Sequence, residues 1–178
     1  MNIFGQDPVP AYIKNLHNGE LKGFLVNPAE LGSSISAVYK PRDLLGMPNV
    51  PLDYEKTNNQ TFRFNLIFSA TMIQTEGRVS RKEAVEAISD WRAFLTSLMA
   101  PIETPHKNWR GGEPPKIWFY WPNIASLEGR LVRVNWRSTL FDLDLNSTFE
   151  VAQISISSDQ KYPIWSEEIR LLGWEVQV

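Results

Sequence analysis

A strict alternation of apolar and polar side chains in QTFRFNLIFSA, residues 60–70, constrains the fold more than any other feature of the sequence. The apolar residues at every second position are Phe62, Phe64, Leu66 and Phe68. The residues between them are Thr61, Arg63, Asn65 and Ile67. Successive side chains of a β-strand point to opposite faces, so this period of two predicts a strand with one face in the core and the other outside it.

A second segment has the period of a helix. Ser80, followed three residues later by Glu83, matches a capping box, in which side chains satisfy backbone amides at the start of a helix. Pro101 would end the helix. Between Ser80 and Pro101, apolar residues recur at spacings of three and four, and they are Ala84, Ile88, Trp91, Leu95 and Leu98. The sequence therefore predicts one amphipathic helix, residues 81–99, that covers a face of a sheet.

The remaining regular segments predict further strands. They span residues 34–39, 116–121, 127–136, 139–145 and 149–157. Segments rich in proline and glycine separate most of them. WRSTLF is interpreted as a hairpin connection, after which Phe141, Leu143 and Leu145 would share one strand face, opposite Asp142 and Asp144. The predicted fold is mainly β with one flanking α-helix, built from two packed antiparallel sheets.

Four aromatic residues stand in a row from Trp118 to Trp121. Aromatic faces stack well on sugars and bases, so the run could serve as a ligand platform. In a strand, however, Phe119 and Trp121 would face one side and Trp118 and Tyr120 the other. We therefore interpret the run as structural, with one face in the core and the other against a sheet or a neighbouring subunit.

The composition excludes several kinds of site. The 178 residues include no cysteine, which excludes disulfides, thiolate catalysis and Cys-based metal sites. The two histidines, His17 and His106, are far apart in sequence, which argues against a His-based triad or metal site. A net charge of −2 provides no overall basic field for nucleic acid. We expect no catalytic, cofactor-binding or metal-binding residues and no membrane partner.

Two charged groups of residues allow other interpretations. Asp142 and Asp144, with Glu128 nearby in sequence, could be the carboxylate pair of a glycosidase, although a solvated strand face explains them more simply. The basic residues clustered along one predicted strand are Arg130, Arg133 and Arg137. They could bind phosphates, but salt bridges to neighbouring acids are the expected use. Neither group argues for an enzyme.

The order of these segments resembles that of the tube proteins of contractile injection systems and contractile phage tails. The matching segments are NPAELGSSISAVY at 27–39, QTFRFNLIFSA at 60–70, the helix at 81–99, EPPKIWFYWP at 113–122, SLEGRLVRV at 126–134 and FEVAQISIS at 149–157. The resemblance covers roughly residues 23–158. It implies one tube-like domain, with residues 1–22 and 159–178 as extensions, in a hexameric ring whose inner strands form a continuous β-barrel around a channel.

The resemblance also implies a function. It predicts a structural component of a contractile phage tail, a tube or baseplate ring protein that links the hub to the tail tube and forms part of the channel for genome ejection. Such a protein would be made in the host cytoplasm and located in the virion. Its partners would be further copies of itself, adjacent tube, hub, baseplate or sheath proteins, and DNA or a tape-measure protein that passes through without specific binding. A carbohydrate-binding β-sandwich module, which needs exposed coplanar tryptophans, is the alternative.

Site residues follow from the resemblance. The candidate channel-facing residues are Thr61, Asn65, Asp142, Asp144 and Asn146. Because each arginine near a phosphate adds attraction, Arg63, Arg130 and Arg133 are expected to be paired with acids or turned away from the channel, leaving a neutral-to-negative bore.

Two further segments are predicted to make contacts with neighbours. The proline-stiffened segment 40–59 would make inter-ring contacts through Leu44, Leu45 and Met47. The C-terminal segment is too apolar for a free tail, and it is expected to dock on its own domain or on a baseplate protein. Its candidate docking residues are Trp165, Leu171 and Trp174.

Overall fold

The computed structural model describes residues 10–42, 49–77, 79–102 and 112–159. Within these ranges nine strands and two helices follow one another along the chain. They are β1 (Tyr12–Asn15), β2 (Leu21–Gly23), β3 (Gly32–Ser34), β4 (Ala37–Pro41), β5 (Leu52–Thr57), β6 (Thr61–Ser69), α1 (Ala70–Gly77), α2 (Arg81–Ser97), β7 (Ile117–Trp121), β8 (Ala125–Phe141) and β9 (Ser147–Ser158).

The strands form two antiparallel sheets, which confirms the predicted mainly β fold. Seven strands form one sheet in the order β2-β1-β7-β8-β9-β6-β3, and β4 and β5 form a separate two-stranded hairpin. In β6 the alternation is as predicted, because Phe62, Phe64, Leu66 and Phe68 are all buried. The strand β5, which carries Leu52 and Tyr54 at alternate positions, lies in a segment predicted to be a long connection.

The seven-stranded sheet curls over on itself around an aromatic core. Phe64 of β6 and Phe119 of β7 lie three strands apart in the sheet order, a separation of about 14 Å in a flat sheet. Their rings nevertheless stack with centroids 4.9 Å apart. Phe24 packs against both rings, at 5.9 Å from Phe64 and 6.2 Å from Phe119. The core therefore lies between two halves of one sheet. Two antiparallel sheets are present, as predicted, but the second is the β4–β5 hairpin, which contributes no residue to this core.

Gly129 lies where the strands β7, β8 and β9 meet. It is paired with Ile117 on one side and with Ser158 on the other. A Cβ atom at this position would lie 2.1 Å from the carbonyl oxygen of Ser157. A strand glycine of this kind marks a close approach of backbones, so only glycine allows β9 to approach β8 this closely.

Helix α2 covers the concave side of the sheet, as predicted. Ser80 and Glu83 form the complete capping box, and the five apolar residues predicted for the buried stripe are all buried. Trp91 anchors the helix, because its ring lies 5.5 Å from that of Phe68 and 5.9 Å from that of Phe24. The prediction of a single helix is wrong, since α1 follows β6 without an intervening loop.

An ion pair between an exposed arginine and a buried glutamate connects α2 to the sheet. Arg92 donates a hydrogen bond of 2.6 Å to Oε1 of Glu150, whose side chain is 2% exposed. Ser138 donates to the same oxygen at 3.1 Å, and the Arg92 guanidinium lies over the ring of Trp136 at 5.2 Å. Oε2 of Glu150 has no hydrogen-bond partner among the described residues. An acid at this inward position is tolerated because the arginine compensates its charge.

The prediction of two strands at 127–136 and 139–145 is wrong. β8 is one continuous strand, so WRSTLF is not a hairpin connection. Its register against β9 shifts between Ser138 and Leu140 and again between Leu140 and Phe141. Extra residues of β-bulges break the alternation without ending a strand, which is why the polar residues of WRSTLF resemble a turn. The actual turn begins after Phe141.

The N-terminal segment contributes to the core. β1 lies between β2 and β7, and Ala11 and Ile13 are completely buried. These residues belong to the part of the chain that was predicted to be an N-terminal extension.

We expect Gly129→Ala to lower the free energy of unfolding by about 1–3 kcal/mol or more, because the added methyl group meets a backbone oxygen that cannot rotate away. Gly23→Ala is the matched control, since a Cβ atom there would have no neighbour within 4 Å. Urea denaturation of both variants measures the difference. Equal stability of the two variants would show that β9 can move away from β8 at little cost.

We expect Trp91→Ala to cost about 3–5 kcal/mol, because it leaves a large cavity between α2 and the sheet. Glu86→Ala, on the exposed side of the same helix, should change the free energy of unfolding by less than about 0.5 kcal/mol. The same denaturation experiment measures both values. A loss below about 1 kcal/mol for Trp91→Ala would contradict the anchoring role of this residue.

Candidate interaction surfaces

The outer face of β6, β9 and β8 carries rows of polar side chains. Arg63, Ser155 and Arg133 are paired across the three strands in one row. The next row contains Asn65, Gln153 and Asn135. Arg137 follows in the row after that, where its neighbours are the apolar Val151 and Ile67. We call the seven polar residues of these rows the arginine face. Thr61 and Asn65, two candidate channel-facing residues, lie on the same side of β6 as Arg63.

Arg63 and Arg133, two of the three arginines expected to be paired with acids or turned away from the channel, are not paired with an acid among the described residues. Arg63 and Arg133 are exposed, and no carboxylate of the described residues lies within ion-pair distance of either. Arg137 is also exposed and unpaired within the same ranges. Because Arg63 points to the same side as Thr61 and Asn65, it cannot be turned away from a channel that these two residues face. A bore lined by this face would be basic, not neutral to negative.

Arg130 has acidic partners, as expected. Its Nε atom donates to Oδ2 of Asp159 at 3.1 Å, and its guanidinium also contacts Glu113. Lys116 lies 2.9 Å from the same Asp159 oxygen and 3.7 Å from Glu128. The hydrogen bond from Lys116 and then the one from Arg130 lower the pKa of Asp159. Hydrogen bonding to Asp159 in turn raises the pKa of Arg130 and of Lys116.

Three candidate channel residues lie in the β8–β9 turn instead of on a strand face. The backbone amide of Asn146 donates to Oδ1 of Asp142 at 2.8 Å, and the amide of Asp144 donates to the same atom at 3.0 Å. The hydrogen bond from the Asn146 amide is the main cause that lowers the pKa of Asp142. Leu145 completes the turn with a positive φ of 63°. Asp142 therefore stabilises the turn as a carboxylate.

Glu128 lies far from Asp142 and Asp144, the other two suggested glycosidase carboxylates, which share the β8–β9 turn. Glu128 lies near the start of β8 and Asp142 directly after its end, so about 45 Å of extended strand separates them. The two carboxyl groups of a glycosidase are about 5–10 Å apart. Within the described ranges, no group of acids and histidines could hold a metal ion.

The β4–β5 hairpin exposes apolar side chains on both strands. All six residues of β5 are exposed, with Leu52 at 65% and Tyr54 at 60%. Tyr39 of β4 packs against Tyr54 in an edge-to-face pair 5.8 Å apart. The alternation of Leu52 and Tyr54 with acidic residues was the sequence signal for this strand. Leu44, Leu45 and Met47, the predicted contact residues, lie outside the described residues.

The aromatic run divides between two faces, as predicted. Ile117 and Phe119 are completely buried, and Trp121 packs against the same core. Trp118 and Tyr120 are half-buried on the outer face, where they pack with Tyr12 of β1. Nε1 of Trp118 donates to Oγ of Ser126 at 3.0 Å. The two tryptophans of the run therefore do not form one coplanar platform.

Two other predictions concern the C-terminal segment and the absence of a membrane partner. Trp165, Leu171 and Trp174, the predicted docking residues, lie outside the described part of the chain. No helix in the described ranges is both long and apolar enough to span a membrane.

No protein-family model matches the sequence, and no curated protein matches it.

We expect Asp159 to stabilise the fold in a pH-dependent way. Its folded pKa lies below the value of about 3.9 in an unfolded chain, so its stabilisation is present above pH 4 and is lost as the pH falls through the folded pKa. The difference in unfolding free energy between the wild type and Asp159→Asn should thus be largest above pH 4 and shrink at lower pH. Glu86→Gln controls for the loss of one exposed carboxylate. A constant difference from pH 6 to pH 2 would contradict the linkage.

Proposed function

We propose that this protein is a structural ring subunit of a contractile phage tail, a tube or baseplate protein that assembles as a hexamer around the channel for genome ejection. Six copies would join their sheets into one β-barrel, and the ring would stack on neighbouring tube, hub or baseplate proteins. This location in the virion follows from the same proposal.

The observation that carries the proposal is the exposure of the β4–β5 hairpin. A two-stranded hairpin is marginally stable in water without a third strand or a packed helix. Here both strands are exposed, and Leu52, Tyr39 and Tyr54 are each more than half exposed. A neighbouring copy that covers the hairpin, and whose own hairpin is covered by the next copy, forms the repeating contact that closes a ring.

An open edge of the large sheet supports the same assembly. β3 pairs with β6 only at residues 61–63. Residues 64–69 of β6 have no strand neighbour on the β3 side among the described residues. Unpaired edges of this length are normally covered, and pairing with a strand of a second copy covers them without leaving a free end in a closed ring.

The carbohydrate-binding alternative has less support. Such a module binds sugar rings on exposed aromatic faces. Trp121 packs against the core, and Tyr12 meets Trp118 edge to face at an interplanar angle of 89°. One half-buried tryptophan offers a small platform, and this arrangement favours a packed contact over a sugar site.

We expect Leu52→Asp to prevent assembly without unfolding the subunit, because the Leu52 side chain is 65% exposed in the single chain. The wild type should form particles of six times the 20.4 kDa chain mass, visible as rings by negative-stain microscopy and measurable by native mass spectrometry. The variant should remain monomeric with an unchanged thermal melting temperature.

Ile124→Asp is the matched control, because Ile124 is similarly exposed, at 55%, in the β7–β8 turn outside the hairpin. This variant should assemble as the wild type does. A wild type that remains monomeric up to millimolar concentration, or a Leu52→Asp variant that assembles normally, would contradict the proposed role of the hairpin.

A further inference from the structure

The arginine face carries three arginines, Arg63, Arg133 and Arg137, that have no acidic partner among the described residues. The acids near the start of β8 are already used, since Glu113, Glu128 and Asp159 pair with Arg130 and Lys116. Glu150, the acid on β9, points to the opposite side of the sheet and pairs with Arg92. On the described strands β6, β8 and β9, the arginine face itself carries no acid. Among the described residues, its charge of about +3 is therefore uncompensated, although the whole chain is slightly acidic.

The spacing of the three arginines is set by the sheet. Arg63 and Arg133 stand on either side of β9, about 10 Å apart at two strand spacings. Arg133 and Arg137 are four residues apart on β8, about 13 Å along the strand. Both separations are close to the width of the major groove of duplex DNA, which is about 12 Å. Three guanidinium groups on this face can thus reach phosphates on both sides of one groove.

The side chains around the arginines indicate how a nucleic acid would be held. Asn65, Gln153, Asn135 and Ser155 supply neutral hydrogen-bond donors between the charges. None of the seven residues is aromatic, whereas proteins that bind single strands use aromatic platforms to stack the bases. The face is therefore suited to the phosphates of a duplex, without base-specific contacts.

We propose that the arginine face binds the phosphate backbone of duplex DNA, weakly and without sequence preference. The binding energy comes from counterion release by Arg63, Arg133 and Arg137, so it depends steeply on salt concentration. This basic surface differs from the neutral-to-negative bore that the sequence predicts for the channel. If the ring proposed above forms with this face inward, each subunit would hold the passing genome by weak contacts. DNA binding by the single subunit does not require the ring.

The test measures binding of the full chain to a fluorescent 20-base-pair duplex by anisotropy, with the Leu52→Asp variant as a monomeric background. With three phosphate contacts, the affinity should fall roughly 40-fold between 50 mM and 200 mM salt. Each of Arg63→Gln, Arg133→Gln and Arg137→Gln should weaken binding and reduce the slope of log K against log salt by about 0.9. The triple variant should bind at least ten-fold more weakly at 50 mM salt.

Lys82→Gln is the matched control, because it removes the same charge from an exposed residue of α2, on the other side of the sheet. This variant should bind as tightly as the wild type, as should a second duplex of unrelated sequence. Equal binding by the triple variant and the wild type would overturn the proposal, and so would undetectable binding by the wild type at 50 mM salt. Ring assembly is measured separately, so failure of DNA binding and failure of the ring give different results.

Discussion

The stacking of Phe64 on Phe119 is the contact on which the rest of the structure depends. It joins two strands that are three positions apart in the sheet, so it can form only if the sheet curls. Curling encloses the core and provides the concave surface that Trp91 of α2 fills, while the backbones of β8 and β9 approach closely at Gly129. Burial of these aromatic side chains is the main energy source, at roughly 25 cal/mol for each Å² of apolar surface.

The curled sheet encloses its own core, but within the described ranges two features remain exposed. The β4–β5 hairpin does not share the core, and residues 64–69 of β6 have one side without a strand neighbour in the described structure. Both features are unfavourable in an isolated chain, because apolar groups and backbone hydrogen-bonding groups meet water. In the proposed ring, association with further copies would remove both costs together, and this is the physical basis of the proposal.

Arginines on one strand have different electrostatic environments. Arg130 lies near the start of β8, where neighbouring segments supply Asp159 and Glu113. Arg133 follows the bulge after Leu131, and its neighbours on β9 are serine and amide side chains. Arg63 meets Arg133 across Ser155 through strand pairing alone. The expectation of salt bridges along the whole strand was correct for Arg130 only, because sequence proximity to acids does not determine which side of a sheet they occupy.

The sequence by itself determined the local elements whose hydrophobic period is unbroken. The alternation in β6, the buried stripe and capping box of α2, and the two faces of the aromatic run are properties of neighbouring residues, and all agree with the structure. Tertiary structure decided the rest. Because β8 pairs with β9 along its length, it continues through WRSTLF despite the bulges there. Asp142 and Asp144 therefore lie in the turn after β8. Only the curl brings Phe24, Phe64 and Phe119 together, because contacts between distant segments depend on the path of the whole sheet.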